Sequence, residues 1–331
     1  MGSHPNGRSG GLFPRRTILL VVAAMFATTP IVMAQPLRRI GVLGDTPGPQ
    51  WDVFRKALAD LGYVEGSTVG FESRYSQGNG AQFPNLAAEL VRSGVEVIVT
   101  EGGLATSAAK DATGSIPIVM TIVGDAVGSG LVVSLANPGG NVTGSTSLAF
   151  DLTAKQLQLR KELMPTLTSV IFLWNPEEPF HSRAIPHVEA AARALVIQIN
   201  LVEARTLAEV DAVFQKLRTD NGRAVLMLPT TTRDAQQSEV ADLATRNQLP
   251  VLYNKSQFCK AGGLICFGAR YLHFFRRAAV FVDDILKGAK PENLPIQQPT
   301  TYDLVVNMRT AKALGIAIPN SILARADELI E

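Results

Sequence analysis

The residues with chemical reach lie in short loops that follow apolar, strand-like runs. Asp45 and Thr46 follow the run 39–44, Glu101, Gly102 and Gly103 follow 95–100, and Asp125 follows 116–123. Further along, Asn175, Pro176 and Glu177 follow 169–174, Thr230 and Thr231 follow 224–228, Asn254 follows 250–253, and Gly268 closes 264–267. Each loop precedes a helical pattern. Small, hydroxylated or amide residues at such a place offer backbone N–H groups and the positive end of a helix, which suits a carboxylate or another electron-rich group. Gly102 and Gly103 let a ligand approach the backbone closely. Taken singly, each of these residues fits a helix cap equally well. Trp51, Trp174 and Tyr253 stand beside these loops and either stack on a flat ligand or pack in the core.

Catalytic constellations are missing. The region after residue 34 has no phosphate-binding loop, no dinucleotide fingerprint after the first strand and no Gly-x-Ser-x-Gly elbow. The four histidines are His4, His181, His187 and His273. None has metal-ligand spacing with acidic or cysteine partners, and His181 and His187 read as surface residues. Glu177-Glu178 and Asp283-Asp284 are adjacent in sequence, so each pair diverges. These absences argue against an enzyme, a metal site and a cofactor. The two cysteines, Cys259 and Cys266, flank a Gly262-Gly263 turn. They form a disulfide or stay as two buried thiols, as their geometry dictates.

The elements that must position these loops alternate regularly. Apolar runs of strand length are separated by helical stretches of about 10–15 residues, the rhythm of βαβ units and parallel sheets. Helical spacing covers 51–61, 83–91, 104–112, 152–163, 184–194, 207–217, 235–245 and 274–286. A short helix is expected at 130–135, and a last strand and helix at 304–307 and 310–314. About ten strands exceed one comfortable open sheet, and the rhythm breaks near 137–150. The expected fold is α/β, with two Rossmann-like doubly wound lobes joined by a hinge. Ligands of such sheets bind outside the carboxyl ends of the strands.

Composition narrows the class. With 46% hydrophobic and 18% charged residues the chain is globular rather than disordered. A net charge of +2, without a basic stripe, argues against nucleic acid. Residues 1–34 read as a signal peptide: Arg15-Arg16, an apolar run over 18–32, and cleavage after Ala34. The run is short for a membrane span. The expected location is the periplasm.

Several stretches resemble the ABC transporter substrate-binding proteins of the tryptophan/tyrosine-binding group. They are the run 57–66 (ALADLGYVEG), the runs 124–132 and 137–144, Leu173-Trp174-Asn175-Pro176, 261–264, 276–279, and the C-terminal stretches 299–315 and 323–327. The resemblance runs from about Arg38 to the end. It departs from the family pattern at Cys266 and Phe267. It implies a periplasmic binding protein type I fold with three hinge crossings, and a late return of the chain to the first lobe. The expected organisation is lobe 1 over 35–147, lobe 2 over 148–270, and a return to lobe 1 with a C-terminal hinge and tail over 271–331. The implied function is solute capture by a monomer, closing on a small carboxylate- or amino-acid-like ligand, aromatic ones included. The implied partner is an ABC permease. A sensory protein feeding a signalling receptor shares the fold, and a hydrolase on the same fold is a further alternative.

Overall fold

The computed structural model describes Met1 and residues 37–147, 149–177, 179–217, 224–228 and 236–331. The signal peptide expected over 1–34 and the loop residues Thr230 and Thr231 lie outside the described residues.

Five parallel strands make the first sheet: β1 (Arg38–Gly44), β2 (Val69–Tyr75), β3 (Val97–Thr100), β4 (Ile118–Val123) and β5 (Val142–Thr146). Their order is β2-β1-β3-β4-β5. The near-continuous apolar runs of β3 and β4 are those of strands covered on both faces. Helices α1 (Pro49–Asp60), α2 (Phe83–Arg92) and α3 (Gly102–Ala112) link the strands. A turn ends at Gly130, and residues 131–135 are bends and irregular backbone rather than the expected helix. Gly130 has φ 69°, a left-handed conformation incompatible with the first position of a right-handed helix.

The second sheet has seven strands: β6 (Ser169–Trp174), β7 (Gln198–Glu203), β8 (Ala224–Met227), β9 (Val251–Tyr253), β10 (Ile265–Ala269), β11 (Tyr302–Asn307) and β12 (Glu328–Ile330). Their order is β12-β11-β10-β9-β8-β6-β7, and only the β10–β11 pair is antiparallel. Among the described residues, the helices of the second half are α4 (Ala149–Leu163), α5 (Pro179–Ala194), α6 (Leu207–Leu217), α7 (Gln237–Arg246), α8 (Ser256–Lys260), α9 (Tyr271–Leu286), α10 (Met308–Ala313) and α11 (Asn320–Leu323).

Helix α9 leaves the second sheet and packs along α1 and over β4 and β5 of the first. Its Phe274, Phe275, Ala278, Phe281 and Val282 are buried with Ile40, Val42, Phe54 and Leu58. Each buried Phe contributes roughly 1.5–3 kcal/mol, so α9 is an integral part of the first core. The segment after it corrects the expected organisation. Residues 302–331 are neither part of lobe 1 nor a loose tail, because β11 and β12 complete the second sheet. The three-residue edge strand β12 gives little signal, and the apolar run of β11 does not itself say which sheet it joins.

The chain therefore crosses between lobes three times, near residues 147–149, 269–271 and 297–302. The crossings are tied together. Thr146 N donates to Gln297 O at 2.8 Å, Gln297 N to Gly144 O at 2.9 Å, and Arg270 N to Thr301 O at 3.5 Å.

Candidate ligand-binding cleft

Between the lobes lies a cleft of about 540 Å³, within the usual size of small-molecule sites, roughly 300–1,000 Å³. Its first wall is made by loops at the carboxyl ends of β1, β3 and β4. Of the residues singled out from the sequence, Asp45, Thr46, Glu101, Gly102, Gly103, Asp125 and Asn254 line it.

Their chemistry differs. Asp45 accepts from the Ser76 hydroxyl and the Gly78 N–H, each at 2.7 Å. It fixes the loop shape by joining the β1 and β2 ends. Gly102 and Gly103 open α3 with unfilled space in front of them, and Thr106 Oγ1 donates to Gly102 O at 2.7 Å. The Glu101 carboxylate accepts from the Tyr271 hydroxyl. Asp125 accepts from the Gly128 N–H at 2.8 Å. Apolar surface from Phe83, Leu104 and Leu131 lies among these groups.

The second wall carries cations. Arg183, on α5, places its Nε 3.4 Å from the Asp125 carboxylate, across the cleft. That Nε is buried and lacks a hydrogen bond of good geometry. Lys255, which precedes α8, is 8% exposed. Its Nζ stands 4.2 Å from the centre of the Tyr271 ring, a cation–π contact. Glu101, Tyr271 and Lys255 thus form a chain from the first wall, through the start of α9, to the second wall. Gln237 and Gln257 add amide groups to this side. At Gly124 the walls nearly touch: a Cβ there would sit 2.6 Å from a ring carbon of Phe180. Only glycine admits that approach.

Six sequence expectations are corrected, because the described side chains do not line the cleft. Trp51 is 1% exposed, walled in by Phe54, Tyr75 and Phe275 at ring distances of 6.1, 6.4 and 5.1 Å. Burying so large an apolar ring outweighs leaving it at a rim. Tyr253 packs in the second core, stacked on Phe258 at 4.7 Å, and burial pushes its phenol pKa up. Beneath it the Arg160 guanidinium is buried too, donating to Val225 O at 2.6 Å and Leu252 O at 2.9 Å. Burial lowers the Arg160 pKa to about 9. Asn175 is spent on its own loop, with Oδ1 accepting from Glu177 N at 3.0 Å. Pro176 sits in that same turn, and Glu177 faces Arg205 at 3.9 Å. Gly268 abuts backbone instead: a Cβ there would fall 1.7 Å from Asn254 O.

His181 is another correction. It is fully buried rather than at the surface, and its Nδ1 accepts from Asn175 N at 2.8 Å. Cys259 and Cys266 form a disulfide, with a Cα–Cα distance of 5.9 Å. Cys266 lies in the second core and Phe267 stacks on Tyr302, so the departure from the family pattern falls outside the cleft lining. No group of metal-binding side chains occurs among the described residues.

Sequence reading missed Phe180, Arg183, Gln237, Gln257 and Tyr271 as site residues. They sit at or just inside helix N-termini, whereas Lys255 follows Asn254 in a strand-end loop. Scanning the first turns of the helices after each strand would have found them.

Two hinged lobes with parallel sheets, facing each other across a cleft at their strand ends, are the architecture of a type I periplasmic binding protein. The sequence pattern of the ABC transporter substrate binding proteins matches residues 44–330, and the chain belongs to that family. Members of the family are extracytoplasmic solute-binding proteins. Among its relatives is a tyrosine-binding protein of Clostridioides difficile (strain R20291), 28% identical over 267 residues, covering 80% of this chain and 75% of the relative. Among solved structures, a conserved domain protein from Vibrio cholerae superposes with a TM-score of 0.81 at 28% identity, over 89% of this chain and 100% of that one. A Streptococcus pneumoniae ABC domain in complex with L-Trp gives 0.80 at 24% identity, with the same coverages.

Proposed function

We propose that this chain captures a zwitterionic solute, an amino acid, in the interlobe cleft and delivers it, as a monomer and without chemical turnover, to an ABC permease. The observation that carries this is the division of charge between the walls. Glu101 and Asp125 lie on the first wall, and Arg183 and Lys255 on the second. An ammonium group is favoured against the first and a carboxylate against the second. Enclosure strengthens both interactions by lowering the local dielectric. Phe83, Leu104 and Leu131 offer apolar surface for a side chain, which favours aromatic or large aliphatic amino acids. The tyrosine-binding relative supports the same class. Closure about three crossings is a hinge motion and needs no catalysis.

A thermal-shift screen of the mature protein tests this. The panel holds the aromatic and aliphatic amino acids, their N-acetyl and amide derivatives, aromatic acids and sugars. A true ligand at 100 times its Kd adds about 2.7 kcal/mol to stability. An amino acid is expected to raise Tm while its N-acetyl and amide derivatives do not. If sugars or aromatic acids alone raise it, the zwitterion reading fails. N-terminal sequencing of protein recovered from the periplasm is expected to start at Gln35, after cleavage at Ala34.

A further inference from the structure

Gly124 and Phe180 meet across the lobes, and the glycine there is demanded by the opposite wall. A Cβ at Gly124 would stand 2.6, 2.8 and 3.0 Å from three neighbouring ring carbons of Phe180. Unstrained carbon atoms rest about 3.5–4.0 Å apart. Three distances so alike put that Cβ over the face of the ring rather than beyond its edge. Gly124 is not among the glycines with positive φ, so its own backbone admits a side chain. Only the approach of Phe180 forbids one.

The Phe180 ring is braced from behind. Phe180, Arg183 and His187 stand at i, i+3 and i+7 of α5, on one helical face. Two turns separate Phe180 from His187 by about 10 Å, which leaves room for one ring. Phe150 fills it, stacked on Phe180 at 5.2 Å with the planes 9° apart, and on His187 at 4.2 Å with the planes 6° apart. Phe150 belongs to the first turn of α4, directly after the first crossing. The stack thus runs from His187 through Phe150 and Phe180 to the Gly124 backbone.

This contact also lies beside the hinge. Val123 O accepts from Ser147 N at 2.8 Å, where the first crossing begins. A rotation about that point moves distant atoms more than near ones, so a small change of spacing at Gly124 grows toward the far rim of the cleft. Asp125 and Arg183, 3.4 Å apart, are one residue and three residues further along from the touching pair.

We propose that Gly124 and Phe180 are the closure stop of the cleft, a positioning pair that fixes how near the two walls come. Their contact sets the span between Asp125 and Arg183, and with it the size of solute that both walls hold at once. The inference rests on the two-walled grip of the proposed function and does not depend on the solute being an amino acid.

The closest approach of the lobes is measured by cross-linking. Cys259 and Cys266 are bonded to each other, so Ser107→Cys and Ser238→Cys supply the only free thiols of the mature protein. Both positions are exposed and face the cleft from opposite walls. Bismaleimides of graded length are applied, and the shortest one that links the lobes is recorded. Gly124→Ala is expected to need a longer reagent. Adding Phe180→Ala is expected to restore the shortest, because it removes the ring that the new methyl meets. In the protein without added thiols, calorimetry with L-tyrosine and L-tryptophan is expected to show Gly124→Ala weakened about tenfold, the scale of a charge-assisted hydrogen bond lost as one wall stands off. Linking of Gly124→Ala by the original shortest reagent, no recovery in the double variant, or equal affinity of Gly124→Ala and wild type would each overturn the proposal. If neither amino acid binds the wild-type protein, the amino-acid reading fails, and the cross-linking decides the stop by itself.

Discussion

The two walls of the cleft are built differently from similar βαβ parts. On the first wall the facing groups sit largely in loops directly after strands, at Asp45, Thr46, Glu101 and Asp125. On the second they come mostly from helix starts, with Phe180 and Arg183 in α5, Gln237 and Ser238 in α7, and Gln257 in α8. The corresponding strand-end loop of the second wall, at Asn175–Glu177, closes on itself through an Asx-type turn. The first wall is therefore a fixed backbone cradle with carboxylates, and the second a set of longer side chains that reach in. The difference teaches that the strand-end rule locates a cleft better than it locates the atoms that grip a ligand.

The sharpest break of this contrast is Arg183→Ala. Its guanidinium is the second wall's longest reach, and losing a charge-assisted hydrogen bond costs about 1.5–3 kcal/mol. With the tightest amino acid of the panel, calorimetry is expected to show Kd weakened about 10- to 100-fold. Unchanged affinity would move the carboxylate site elsewhere. Next comes Glu101→Gln, which keeps an acceptor for the Tyr271 hydroxyl but removes the negative charge. Calorimetry is expected to show a loss of about tenfold for the amino acid. Unchanged affinity would make Glu101 a scaffold residue only.

Stability separates the walls as well. The disulfide ties α8, which carries Gln257, to β10, which leads to Tyr271. The loop it closes is short, with a sequence separation of 7. Loop-closure entropy then gives about 2 kcal/mol. Denaturant unfolding of the Cys259→Ala/Cys266→Ala variant is expected to show that loss, and no loss would mean strain offsets the link. The smallest effect is expected from Asn175→Ala. It removes the acceptor for Glu177 N and is expected to lower stability by about 1 kcal/mol. Ligand affinity should stay within about twofold. A larger loss of affinity would return Asn175 to the second wall.

Much of the architecture was readable before any tertiary contact. The apolar runs at 39–44, 95–100 and 169–174 are β1, β3 and β6, because a strand covered on both faces needs an unbroken apolar stretch. Helix α9 was visible as a helix over 274–286, but its periodicity carries no address. Only the family resemblance pointed it toward the first lobe, where it fills the groove over β4 beside α1. β12, a three-residue edge strand with two exposed residues, left no hydrophobic signature at all.

Sequence by itself determined the alternation of strands and helices, and with it the doubly wound class and the line of strand ends where a cleft must open. Those are local consequences of apolar periodicity and turn chemistry. Tertiary structure alone decided that Trp51 and Tyr253 vanish into cores while Arg183 meets Asp125 and Lys255 meets Tyr271. Side-chain direction at a helix start depends on how two lobes are set against each other, and that distance is fixed by crossings far apart in the chain.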